Sequence, residues 1–408
     1  MTRFYLPPLH PKQEEVQRST ARFKVLACGR RWGKTRLGTV AVMRTVVAKP
    51  PSRLWWIAPN YKLVEPGWRA LKEIATQIPG TTIRDSDWEI LFPSGAVIAA
   101  RSGDDPDSLR GESLDGAVLD ECAFMKRGVW FEAIRPALSD HQGWAMFIST
   151  PNGASNWFHT LYGLGLDSAE PDWASWQFPT SSNPFIAAQE IEAARRVLPE
   201  RVFRQEYLAQ FSDSAGAVFR GLAEACVADV QSSPVPGHQY VAGIDWARID
   251  DFTVTSVFDA TSGTQAFLDR FNQIGWELQR ARIGDVLRRF GVTSVLAESN
   301  SIGSPNIEAL QMAGFHVLPF TTTQGSKTQL IDEFALALER KAAGVEAGSV
   351  TLLKDATQRH ELESYQMQRL ESGLYRYCAP AGAHDDTVIA AALGFRAMRF
   401  AGASIRFG

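Results

Sequence analysis

Between residues 23 and 48 an apolar run, FKVLA, stands directly before CGRRWGKT (Cys28–Thr35), with a helix-forming stretch behind it. A strand that turns sharply into a helix is the setting of a phosphate-binding loop. The backbone N–H groups of Gly29, Arg30, Arg31, Trp32 and Gly33 can then cradle an anion at the helix N-terminus. Lys34 follows to neutralise β- and γ-phosphates, and the Thr35 hydroxyl to ligate magnesium. Cys28 occupies the place usually held by the first glycine of such a loop, with Gly29 one position late. The runs LWWIA, GAVLD and AMFIS alternate with helical stretches, one of them near Trp68 to Ile78, which predicts a mostly parallel α/β sheet. EILFPSGAVIAARS reads as a hairpin appended to it.

GAVLDE sets Asp120 and Glu121 at the end of a buried strand, where one acid can hold a magnesium hydration shell and the other can polarise an attacking water. AMFIS leads into Thr150, Pro151, Asn152 and Gly153, a polar turn where Thr150 could sense a γ-phosphate. After two polar helices between Asn183 and Phe211, QSSPVPG (Gln231–Gly237) has the composition of a linker. The second half opens with QYVAGIDWA, FTVTSVFDA and TQAFLDRF, an expected antiparallel meander, then a helix (Trp276–Phe290), the strand VTSVLAE, a helix, the strand HVLPF and further helices. Asp245 falls mid-run in GIDWA, where an aspartate is costly unless it binds something. Glu298 ends VTSVLAE, and Asp385 and Asp386 both begin the last helix. Two divalent metals clamping a phosphodiester need an oxygen-rich cluster of this kind. Asp250 and Asp251 read as solvated acids of a turn, and His384 as a turn residue able to position a phosphate or water.

Taken in order, GRRWGKT, SLRGESLDGAVLDE and STPNG resemble the ATPase motifs of the large subunits of phage DNA-packaging terminases, and the meander–helix–strand–helix order resembles their RNase H-like nuclease. The resemblance spans nearly the whole chain. It implies an N-terminal P-loop ATPase (1–180), a helical subdomain and linker (181–237) and a C-terminal mixed α/β nuclease (238–408). It implies Gln13 for adenine recognition, Arg30 as a phosphate contact, Arg110 as a finger for a neighbouring subunit's site, and STPNG as the coupling motif. Asp245, Glu298 and one or both of Asp385 and Asp386 become ligands for two Mg2+ or Mn2+ ions, beside ATP and Mg2+ in the motor. The implied partners are double-stranded DNA, a portal protein, a small terminase subunit and further copies of the chain in a homo-oligomeric ring, a pentamer by family, on the portal in the host cytoplasm.

Composition sets bounds on this reading. A net charge of -3 gives no global basic signature, so contacts with DNA must be local: Lys327, Arg376, Arg195 and Arg196, with Arg201 and Arg204 behind them. Four scattered cysteines suggest neither a disulfide framework nor a zinc site, and the longest apolar run, Val388–Phe395, is short for a membrane span. The other reading is a helicase or repair ATPase fused to a resolvase-like nuclease; the stretch between GAVLDE and the linker is short for a second helicase lobe.

Overall fold

A computed structural model of the chain describes residues 4–154, 156–211, 218–247, 251–300, 302–369, 375–380 and 382–404. The chain forms two compact units, the main division falling between Phe211 and Val218.

The first unit is built on eight strands: β1 (Phe23–Cys28), β2 (Arg53–Ala58), β3 (Thr82–Arg84), β4 (Glu89–Leu91), β5 (Val97–Ser102), β6 (Gly116–Asp120), β7 (Trp144–Ser149) and β8 (Trp173–Phe178). Their order is β3-β4-β5-β2-β6-β7-β1-β8. From β5 to β8 every pairing is parallel, and β3 and β4 add an antiparallel edge, the expected hairpin being β4 and β5. Successive strand residues face opposite sides. Leu26, Trp56, Val118 and Ile148 pack against the helices Lys34–Ala48 and Tyr61–Ala75 on one face. On the other, Val25, Ile57, Leu119 and Phe147 meet Trp130, Trp157 and Phe158. The helix expected near Trp68 begins earlier, at an Asn60 cap whose side chain accepts from the Leu63 N–H. Strand β8, an edge strand, was not among the expected elements.

The second unit centres on β10 (Tyr240–Asp245), β11 (Thr253–Asp259), β12 (Thr264–Phe271), β13 (Val292–Glu298) and β14 (Val317–Phe320), in the order β12-β11-β10-β13-β14. A short strand, β9 (Cys226–Ala228), pairs separately with β15 (Leu352–Leu353). The meander is antiparallel as expected, whereas β10, β13 and β14 run parallel. Tyr240, Ala242 and Ile244 face the helices Trp276–Phe290 and Gly303–Met312. Val241 on the other face packs with the helices Gln324–Ala342 and Asp386–Ser404. Val218, Phe219, Leu222 and Cys226 also lie in this core, so it recruits chain from before the linker at 231–237.

One contact fixes the last helix on its sheet. A Cβ on Gly243 would lie 2.2 Å from both the Ala390 O and the Gly394 N, and one on Gly394 would meet the Phe258 ring at 2.6 Å. At Gly243 backbone meets backbone, so the neighbours cannot yield by rotating a side chain. Gly243→Ala is expected to destabilise the second unit by at least roughly 1–3 kcal/mol, the usual cost of overpacking. Chemical denaturation followed by probes in each unit checks this: the transition of the second unit should shift and that of the first should not. An unchanged profile would mean that the helix can lift from the strand at little cost.

Candidate active sites

In the first sheet the strand order sets β6, β7, β1 and β8 side by side. Because these four run parallel, their carboxyl ends bring together Asp120, Ser149 with Thr150, the Cys28–Thr35 loop, and the segment after Phe178, the edge where ligands of such sheets bind. An open cleft of about 1130 Å3 is lined there by Gln13, Arg30, Arg31, Trp32, Gly33, Lys34, Thr35, Glu121 and Thr150 among others.

Side chains from distant segments hold the loop. Thr180 Oγ1 donates to the Arg30 O (2.8 Å), Asn183 Nδ2 to the Arg31 O (2.7 Å) and Gln13 Nε2 to the Gly33 O (2.9 Å). Trp32 is fully buried, stacked on Phe178 at 4.9 Å. Backbone bonds take up three of the expected cradle donors: the N–H of Gly29 goes to the Phe178 O, that of Arg30 to the Glu206 O and that of Trp32 to the Gly29 O. Among the described residues the N–H groups of Arg31 and Gly33 make no such bond, which leaves them, with the first helical turn, available to an anion. Arg31 and Gly33 both adopt left-handed backbone, φ 61° and 100°. The Arg30 side chain is paired with Glu206, and the Gln13 carbonyl accepts from the His10 N–H, so both residues expected to touch nucleotide are held by the protein itself.

Lys34 is buried, its Nζ 3.4 Å from the Cys28 O and 3.9 Å from Glu121 Oε1. Burial, and then the neighbouring Glu121, push the Asp120 carboxyl up to about 7, against the pull of Lys34. Glu121 stands at φ 50°, a strained setting for a non-glycine residue, and Ser149 Oγ donates to its Oε2 (3.3 Å). Arg110 does not line the cleft: it is exposed, paired with Asp107 (2.9 Å) and Glu132 (2.8 Å).

In the second unit β10 and β13 are adjacent and parallel, which sets Asp245 beside Glu298 at their carboxyl ends. The start of the last helix adds Asp385 and Asp386, and a cavity of about 210 Å3 is lined by all four, with Asp251, Thr322 and Lys327. Burial first, then Glu298 and Asp386, hold the Asp245 carboxyl well above the ordinary range. Asp386 is pushed up to about 7 by burial, then by Asp251, although the Phe252 N–H donates to it. Protons or cations must relieve such crowding. Lys327 Nζ lies 3.3 Å from Asp385 Oδ2, so this expected DNA contact sits inside the acidic cavity.

Two residues join that the sequence left in a turn. His384 Nδ1 lies 2.9 Å from Asp251 Oδ1 and 3.8 Å from Asp386 Oδ2, and ligand atoms of the three fall within 4.8 Å of one another. Asp251 offers no local signal, since its turn pattern is that of any solvated acid. Asp250 lies outside the described residues. The other basic positions are not in this cavity. Arg195 is exposed, over the Phe203 ring and 3.8 Å from Glu200, Arg196 is exposed on the same helix, and Arg376 is exposed on the strand Tyr375–Cys378. No helix among the described residues is long and apolar enough to cross a membrane.

Comparison with known proteins shows the family of the chain. The family described as terminase large subunit, T4likevirus-type, N-terminal, matches residues 25–225. The terminase large subunit of Thermus phage G20c is 31% identical, over 95% of this chain and 87% of its own length. That of Escherichia phage T5 is 33% identical over 48% of this chain and 46% of its own. The fold is similar to that of a solved large terminase from a thermophilic bacteriophage, with a TM-score of 0.60 and 17% identity, covering 97% of this chain and all of that one. The chain belongs to the terminase large-subunit family, whose members join an ATPase that packages phage DNA to a nuclease that cuts it.

Proposed function

We propose that the cleft of the first unit is the ATP site of the packaging motor and the acidic cavity of the second is where concatemeric DNA is cut. The observation that carries this is electrostatic contrast. The first site combines buried Lys34 with free loop N–H donors, which suits a triphosphate. The second gathers Asp245, Glu298, Asp385, Asp386 and Asp251 around the cation Lys327, a set of hard oxygen donors that suits divalent metal ions.

In the motor, Lys34 neutralises the β- and γ-phosphates, Thr35 and Asp120 hold Mg2+, and Glu121 orients and polarises the attacking water. Thr150 reads the γ-phosphate, and Gln13 and Arg30 turn from their present partners to base and phosphate. Bound Mg2+ would supply charge neutralisation of the phosphates. In the nuclease, Asp245, Glu298, Asp385 and Asp386 hold two Mg2+ or Mn2+ ions, which would supply Lewis acidity and an activated water. Asp251 and His384 complete the donor set, and Lys327 balances the charge of the cluster and meets the DNA backbone. The first unit, through Phe211, serves as the motor with its helices between Asn183 and Phe211, and the second, from Val218, as the nuclease. The chain works as a homo-oligomeric ring, a pentamer, docked transiently on the portal in the host cytoplasm, with a small subunit choosing the DNA. Arg195, Arg196 and Arg376 are further backbone contacts.

The two chemistries should separate. Lys34→Ala is expected to lower ATP hydrolysis by at least about a hundredfold, the scale for losing a group aimed at developing charge, while leaving nicking of plasmid DNA intact. Asp245→Asn should do the reverse. Loss of both activities in either folded variant would sink the division.

The raised acids also fix a pH dependence. With Asp386 pushed up to about 7 and Asp245 held well above the ordinary carboxylate range, protons occupy the cluster below neutrality and compete with metal. Metal affinity should therefore rise with pH between about 6 and 8, by about tenfold per unit for each proton displaced. Calorimetric titration with Mg2+ or Mn2+ in buffers of different ionisation enthalpy measures both numbers; affinity independent of pH, with no proton release, would contradict the assignment.

Arg110 should act across a subunit boundary once freed from Asp107 and Glu132. Arginine fingers in other nucleotide hydrolases are worth about 10³–10⁵ in rate. Arg110→Ala and Glu121→Gln should each hydrolyse ATP poorly alone, and their mixture should recover part of the activity. A mixture no better than the sum of its parts would remove the finger assignment.

A further inference from the structure

We propose that Glu361 is a positioning residue of the nuclease: it fixes the start of the last helix and, through a closed ring of contacts, the orientation of Asp386. The inference rests on the reading of the acidic cavity as the metal site.

Glu361 does not line that cavity. It lies on the helix Ala356–Ser364, 4% exposed, with both carboxylate oxygens engaged. Oε2 accepts from the Thr387 N–H (2.9 Å) and from the Thr387 hydroxyl (2.5 Å), and Oε1 accepts from Arg270 Nη2 (3.2 Å). Thr387 is itself fully buried and follows Asp386 at the head of the helix Asp386–Ser404. The opening N–H groups of a helix need outside acceptors, and an acid there is also favoured by the helix dipole.

The ring closes on its other side through Arg270. Its guanidinium lies over the Phe252 ring, 3.3 Å from the centroid, and the Phe252 N–H donates to Asp386 Oδ2 (3.3 Å). Asp386 is thus held from two directions: its own helix by Glu361 through Thr387, and its carboxylate by Phe252, which is packed beneath the arginine that pairs with Glu361. Of the four other members of this ring, Glu361, Thr387, Arg270 and Phe252, none lines the cavity that Asp386 enters.

A helix start alone does not call for this arrangement. Serine, threonine, asparagine or an exposed aspartate caps a helix without taking a charge out of water, whereas a buried carboxylate is tolerated only with full pairing. Here the capping charge stands directly behind a cluster already crowded with acids, and an arginine is recruited to balance it. What the arrangement adds is rigidity of one metal-ligating side chain, the property that outer partners of metal ligands supply elsewhere.

The test uses the full chain with Glu361→Ala and Thr387→Val, each titrated with Mn2+ and with Mg2+ while plasmid nicking, ATP hydrolysis and thermal melting are followed. Glu361→Ala should raise the half-saturating metal concentration by about tenfold or more, the scale for outer-shell losses, and nicking should recover toward the wild-type rate at high Mn2+. ATP hydrolysis should be unchanged. Thr387→Val removes only the hydroxyl and should shift the metal titration in the same direction by a smaller factor. A purely structural role would lower the melting temperature and leave the half-saturating concentration where it was, and that result in a folded Glu361→Ala overturns the proposal. If Glu361→Ala does not fold, Thr387→Val decides, and an unshifted titration overturns it equally. A wild-type chain that neither binds metal nor nicks would instead overturn the reading of the cavity.

Discussion

A carboxylate at the buried end of a central strand is an unstable arrangement unless something positive completes it, and this chain builds it twice. Asp120 ends β6 and Asp245 ends β10, each nearly sealed from water, each with a second acid within reach. The parallel strands beside them decide what else can arrive. In the first unit β1 sends its phosphate loop to the same edge, and Lys34 meets the acids from within the protein. In the second, β13 and the last helix bring more acids, and Lys327 alone among the cavity-lining residues opposes them. One sheet therefore makes a place for an anion that carries its own metal, and the other a place for metals that meet a polyanion.

Much of this was legible because it is local. The phosphate loop and the strand-ending Asp120 and Glu121 are patterns within a dozen residues, and the meander of β10 to β12 (Tyr240–Phe271) joins consecutive strands through short turns. The helix Trp276–Phe290 could be read end to end, since Gly291 closes it in left-handed backbone. What escaped is what the tertiary fold assembles. Thr180 and Asn183, which bind the loop carbonyls, lie about 150 residues from it and look like any polar turn. Strand β8 is a half-exposed edge strand and lacks the apolar run that marked its neighbours. Asp251 and Glu361 are two acids among many, and only folding sets the first against His384 and the second beneath Thr387.

The loop illustrates how pre-organisation is divided. Its carbonyls are tied by Thr180, Asn183, Gln13 and, at 3.1 Å, His10, so the backbone is fixed before any ligand arrives. Two residues at the site, Arg31 and Glu121, stand in left-handed backbone without being glycine, as do Trp88, Gln142, Ala209 and Gln273 elsewhere. The surrounding core, with Trp32 stacked on Phe178, is rigid enough to hold those conformations. The acidic cluster is organised by the opposite route: its acids come from β10, β13, the start of the last helix and the turn before β11, and their spacing depends on how those segments pack.

That dependence gives the meeting of Gly243 with Gly394 a weight out of proportion to two hydrogen atoms. The contact acts as a ruler between the strand that ends in Asp245 and the helix that begins at Asp386, directly after Asp385. A larger residue at either position would lengthen the ruler, moving all the carboxylates of one element relative to the other. The spacing of the site thus depends on positions that contribute no atom to it. Drift among the exposed acids leaves the ruler unaltered, whereas a single methyl at the crossing changes it at once.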